Sequence, residues 1–126
     1  MIVFSNRRLG PAAELLVSRE VARAMLAAMV EAARPRAAGR WEHELVRWLE
    51  GAAAGATTTL RAVDVAEIAW TPDHFESQRR FLLEAVEEAE GGSEHARPLG
   101  LWKRMIEAHP RDSVQFGRRW SAHTSA

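Results

Sequence analysis

The chain of 126 residues contains no cysteine and no tyrosine, and it has a single lysine. The lack of cysteine excludes a disulfide framework, a thiolate metal site and a cysteine nucleophile. No apolar run is long enough to span a bilayer, since the longest, Val21–Ala33, is interrupted by Arg23 and Glu31. The opening residues lack the charge and apolar pattern of a secretory signal. These absences predict a cytoplasmic protein with no membrane contact.

An excess of charge of either sign is also missing, because 17 basic residues balance 17 acidic ones. A protein that neutralises phosphates normally has a basic surplus, so nucleic-acid binding is disfavoured. Zero net charge also removes repulsion between copies and favours self-association. Lys103 stands beside sixteen arginines and many alanines, a bias typical of a GC-rich, bacterial genome.

The length and a hydrophobic content of 47% fit one globular domain over residues 1–126, with a short flexible tail from about residue 121. Four segments have apolar side chains at helical spacing, and we predict helices over 19–33, 39–50, 72–90 and 98–109. Ser18 is the expected N-cap of the first helix. The glycine- and alanine-rich stretch 51–56 is predicted to be a mobile loop.

Three segments have strand character: Ile2–Phe4, Thr57–Val65 and Ser113–Phe116. The predicted fold is therefore α+β, with about four helices packed on a small antiparallel sheet. An all-α bundle is the alternative, and it becomes preferable if residues 57–70 are helical. No family resemblance is specific enough to name.

The most distinctive local pattern is the junction at Trp70–His74. Thr71 is a suitable helix cap, Pro72 suits the first helical position, and Asp73 is favourable at the positive end of the helix dipole. We therefore predict that a strand-like segment ends at Trp70 and that a helix begins at Pro72.

Motifs that would identify an enzyme are absent. The sequence contains no G-x-S-x-G elbow, no dinucleotide-binding glycine pattern and no P-loop. No two histidines have the i,i+3 or i,i+4 spacing that seeds a metal site, so neither a metal nor another cofactor is expected. The glutamates of the third helix are interpreted as a solvated face that forms weak pairs with Arg79 and Arg80.

Five tryptophans remain to be explained. Trp41, Trp48 and Trp102 lie on predicted inward stripes, whereas Trp70 and Trp120 lie at element ends beside arginines. Tryptophan and arginine are enriched in interface hot spots. The sequence therefore predicts a non-enzymatic interaction module that binds a protein partner or itself. Its predicted binding residues are Trp70, Asp73, His74, Arg79, Arg80, Arg118, Arg119 and Trp120.

The alternative hypothesis is a small-ligand-binding protein or an enzyme with a pocket near Trp70–His74. In that case Asp73 or His74 would be a polar anchor or a general base. A concave, tryptophan-lined pocket containing His74 would favour this alternative, and a flat apolar face would favour a protein partner.

Overall fold

The computed structural model describes residues 1–56 and 62–111. Over these residues the fold is α+β, as predicted. Its strands are β1 (Ile2–Ser5), β2 (Glu14–Val17) and β3 (Ala62–Asp64). Its helices are α1 (Arg19–Ala33), α2 (Arg40–Gly55), α3 (Phe75–Glu90) and α4 (Ala96–Glu107). Short 3-10 turns occupy Arg7–Leu9, Arg34–Arg36 and Val65–Glu67.

The sheet is mixed, with strand order β2-β1-β3. β1 pairs antiparallel with β2, and Val3 faces Leu16; β1 pairs parallel with β3, and Phe4 faces Val63. The prediction of a wholly antiparallel sheet is therefore wrong for the β1–β3 pair. The reason is the α1–α2 pair, which leads the chain away from the end of β2 and back again. β3 then starts from that end and runs in the direction of β1.

The helices cover one face of this sheet. Alternate strand side chains point toward them and are buried: Ile2, Phe4, Val17 and Val63. Trp102 of α4 is fully buried and meets the Phe4 ring edge-on, with centroids 4.9 Å apart. On the opposite face, Leu16 is 60% exposed beside the half-buried Val3.

The first helix has the predicted bounds, and the Ser18 hydroxyl accepts a hydrogen bond from the amide of Val21 at 3.1 Å. The second helix was predicted to end at Glu50, but it continues through the expected loop to Gly55. Three consecutive alanines explain the difference, because alanine has the highest helix propensity and outweighs the cost of Gly51.

The third helix begins at Phe75, three residues later than predicted. Thr71 does not cap it: the Thr71 amide donates to the side chain of Gln78 at 3.1 Å, and residues 72–74 form a turn. His74 occupies the cap position without a side-chain hydrogen bond. The prediction that the helix begins at Pro72 with Thr71 as its cap is therefore wrong, because the hydrogen bond to Gln78 holds Thr71 outside the helix.

The remaining predictions fall partly outside the described residues. Of the strand predicted over Thr57–Val65, Ala62–Asp64 is strand, Val65 starts a 3-10 turn, and residues 57–61 lie outside the described part. Ser113–Phe116 also lies outside it. The last helix spans 96–107 rather than 98–109, and β2 was not predicted. The all-α alternative depended on a helix over residues 57–70, and the strand at 62–64 rules out such a helix.

Ion pairs join α3 to its neighbours. Arg36 lies 3.1 Å from Glu84 and 2.9 Å from Glu88, and Lys103 of α4 lies 3.3 Å from Glu87. The acidic face of α3 is thus solvated, as predicted, but these are not the arginine partners that the sequence suggested. Arg79 contacts Glu76, at 3.9 Å.

Candidate functional site

The predicted junction is built around a buried histidine that the sequence did not single out. His109 follows α4 and is 1% exposed. Its ring stacks on Trp70, with centroids 4.9 Å apart and planes inclined by 24°, and it lies 5.8 Å from the Phe75 ring. Trp70 is also fixed through its indole, which donates to the Val65 carbonyl at 2.9 Å. Trp70 is therefore a half-buried structural contact of the chain itself.

Asn6 contacts His109 at the edge of its ring. The Asn6 Nδ2 atom lies 3.0 Å from the carbonyl oxygen of Met105 and 3.0 Å from the Nδ1 atom of His109. An amide nitrogen has two protons and can donate to both acceptors. Nδ1 of His109 also lies 3.3 Å from the Oδ1 atom of Asn6, so the Asn6 amide can bond to either tautomer of the ring.

The surroundings of His109 keep its ring neutral. Burial is the main cause that lowers the pKa of His109 from 6.5 to about 4, and the positive charges of Arg79 and Arg8 act in the same direction. The carboxylate of Asp64 opposes them. Asp64 itself accepts from the amides of Ala66, at 2.9 Å, and Arg7, at 3.3 Å.

Arg79 of α3 also contacts His109 and Phe75. Its guanidinium lies 4.8 Å above the Phe75 ring, a cation–π contact, and it donates to the His109 carbonyl. Its side chain is only 19% exposed. Gln78, also buried, donates to the Ala69 carbonyl at 3.0 Å. Together with its bond to Thr71, this contact holds the segment before α3 in place.

The predicted binding residues that the structure describes have different surroundings. Trp70 and Arg79 meet at His109, whereas His74 turns toward α2 and stacks on Trp41, with centroids 5.7 Å apart. Asp73 and Arg80 are exposed. Arg118, Arg119 and Trp120 lie outside the described residues, so a binding role for them stays a prediction.

A cavity of about 270 Å³ lies next to the junction, between α2 and the segment that follows β3. Apolar side chains dominate one wall, including Trp41, Trp48 and Ile68. Its lining also includes the charged side chains of Glu44, Arg47 and Glu67. A second cavity of about 250 Å³ shares Arg47, Trp48 and Glu67 with it, so the two form a groove along α2.

The other feature open to a partner is the edge of the sheet at β2. In the described part of the chain, β1 is the only strand that pairs with it. Leu16, near its centre, is one of four large apolar side chains that are well exposed among residues 1–56 and 62–111; the others are Met1, Leu9 and Leu101. Unpaired edge strands are sites for pairing with another chain.

The described residues contain no cluster of three or more side chains able to hold a metal ion. None of their helices has the length and apolar character needed to cross a membrane. Comparisons of the chain with protein-family models, with curated proteins and with solved structures gave no match. The local geometry is therefore the basis on which a function can be proposed.

The sequence missed Asn6 and His109 because they pair across most of the chain, and it missed Gln78 because its bonds go to main-chain groups of Thr71 and Ala69, which no residue pattern marks. Asn6 and His109 are 103 residues apart, and nothing near either residue marks it as buried. The sequence offers a partial signal of this aromatic cluster, since Trp70 precedes a helix whose first residue, Phe75, is also aromatic.

Proposed function

We propose that this protein is a small interaction module that binds a protein partner, or a second copy of itself, without chemical change to either. The observation that carries the proposal is the open edge at β2 with Leu16 60% exposed on it. Extended peptides bind such edges through main-chain hydrogen bonds, with alternate side chains giving selectivity.

The composition of β2 supports this role. Natural edge strands are commonly protected by lysine, by proline or by a bulge. β2 has the sequence ELLV, pairs in unbroken register with β1, and carries one charge, at Glu14. Its length of four residues is its main protection, and the absence of lysine, proline and a bulge within it favours an added strand.

A library of extended peptides displayed on phage tests the proposal. We expect peptides with alternating apolar residues to be enriched on the wild-type protein and to bind Leu16→Lys at least about tenfold more weakly, because lysine blocks edge pairing. Leu9→Lys is the matched control, since Leu9 is an exposed leucine on the turn that packs toward the β3 side. Equal binding to Leu16→Lys, or no enrichment, would contradict the proposal.

A second candidate is the binding of a small apolar or aromatic ligand in the groove along α2. The observation that favours it is the cavity lined by Trp41 and Trp48, whose volume is near the lower end for ligand pockets. Indole, titrated while the amide resonances of α2 are followed, is a suitable probe. Saturable shifts that disappear in Trp48→Ala would support this candidate, and uniformly unchanged resonances would exclude it.

A further inference from the structure

The hydrogen-bond pattern of the sheet identifies the groups that β2 presents at its open edge. The Asn6 amide donates to the Ala13 carbonyl at 3.2 Å, and this pair continues the β1–β2 register. In an antiparallel ladder, residues alternate between pointing their N–H and C=O toward the partner strand and away from it. Leu15 and Val17 therefore bond to β1, whereas Glu14 and Leu16 point their main-chain groups outward.

These outward groups are self-complementary. Two β2 strands placed antiparallel around a two-fold axis at Leu15 bring Glu14 of each copy opposite Leu16 of the other. Each such pair exchanges two hydrogen bonds, so the four N–H and C=O groups on each edge are all paired by a strand of the same sequence. No other edge residue is left over, which is why a second copy fits this short strand.

α4 also faces the open edge. It packs over β1 and β2, and its Lys103 reaches α3 through Glu87 and Glu90. Residues two apart on a helix lie about 200° apart around its axis. Leu101, which is 37% exposed, therefore projects from α4 in a different direction from Lys103.

A two-fold axis perpendicular to the sheet places the helices of both copies on the same face. The α4 helices, which pack over β1 and β2, then lie on the same face of the joined sheet, and Leu15 of each copy supplies apolar surface at the axis. The formal net charge of zero leaves no net repulsion between copies.

We propose that the partner of the β2 edge is a second copy of this chain, paired antiparallel with Leu15 at the two-fold axis, so that the three described strands of each copy join in one continuous sheet. This inference rests on the proposed function. The strand pair is short, so the interface belongs to the small and transient class, and the dimer forms at high protein concentration.

The absence of cysteine in the chain makes disulfide trapping a direct test, because each variant carries one thiol. The two Leu15 Cα atoms would be about 4.5 Å apart across a non-hydrogen-bonded pair, within disulfide range. We expect Leu15→Cys to form a covalent dimer on oxidation, and a mixture of Glu14→Cys with Leu16→Cys to form the mixed dimer. Leu16→Cys alone should stay monomeric, because its two thiols are too far apart in this register.

The mixed pair keeps the test valid if Leu15→Cys unfolds, since Glu14 and Leu16 are both exposed. Leu9→Cys is the control for random collision. Rapid dimerisation of Leu16→Cys alone, or no trapping above the Leu9→Cys level, would overturn the inference. If trapping fails while displayed peptides still bind the edge, the second copy is excluded and the proposed function stands; if both fail, the proposed function falls as well.

Discussion

The buried histidine at the end of α4 should make the stability of this protein depend on pH. The pKa of His109 is lowered from 6.5 to about 4 in the folded protein, mainly by burial. In the unfolded chain it returns to about 6.5. Between these two values the unfolded chain binds a proton that the folded chain does not, so the free energy of unfolding decreases as the pH falls.

The gap between the two pKa values corresponds to a loss of about 3 kcal/mol. The loss starts near pH 6.5 and is complete near pH 4, below which both states are protonated. Glutamates and aspartates also titrate at low pH, so the comparison needs a variant without the imidazole. In His109→Gln this contribution is missing, so the free energy of unfolding of the wild type minus that of the variant should be about 3 kcal/mol lower at pH 4 than at pH 7.5.

Urea denaturation of both proteins, followed by tryptophan fluorescence from pH 4 to pH 7.5, measures this difference. His43→Gln is the matched control for the loss of a histidine side chain, because His43 is exposed on α2. Parallel curves for wild type and His109→Gln would refute the argument that burial keeps His109 neutral.

Three further predictions concern stability. Gln78→Ala should lower the free energy of unfolding by about 1–3 kcal/mol, because the Thr71 amide and the Ala69 carbonyl lose their partner, and denaturant titration measures this loss. Arg36→Gln should lower the melting temperature at low salt, and the difference should largely vanish at about 1 M salt, where its ion pairs to α3 are screened. Leu82→Ala should cost about 2–5 kcal/mol because Leu82 is fully buried, whereas an alanine at Leu101, 37% exposed, should cost far less.

Much of the fold follows from short-range signals in the sequence. α1 has the predicted bounds because an N-cap serine precedes it and the Arg34-Pro35 step follows it. The strand at Ile2–Phe4 is confirmed and includes Ser5. Where periodicity and capping agree with the tertiary environment, local reasoning is sufficient.

The errors occur where tertiary contacts override a local preference. The start of α3 moved because Gln78 holds the segment before it, a contact that reaches from one turn of the helix back to the chain ahead of it. The direction of β3 depends on how α1 and α2 pack, which residue patterns do not encode. β2 was not predicted, although it is as long as β1.

The candidate site could be predicted only in part. The sequence selected Trp70 and Arg79, which do meet, but it placed them on a binding surface, whereas both contact the buried His109. The open edge of β2 could not be predicted from the sequence, because the exposure of a strand edge depends on the order of strands in the sheet. Such order is a property of the whole fold.

The most direct test of the central claim is amide hydrogen exchange at β2 as a function of protein concentration. If a second strand pairs with this edge, the amides of Glu14 and Leu16 should exchange more slowly as the concentration rises, because pairing protects them. The amides of Leu15 and Val17, already bonded to β1, should change little. Exchange at Glu14 and Leu16 that stays fast and independent of concentration would contradict the claim that this edge binds a second copy.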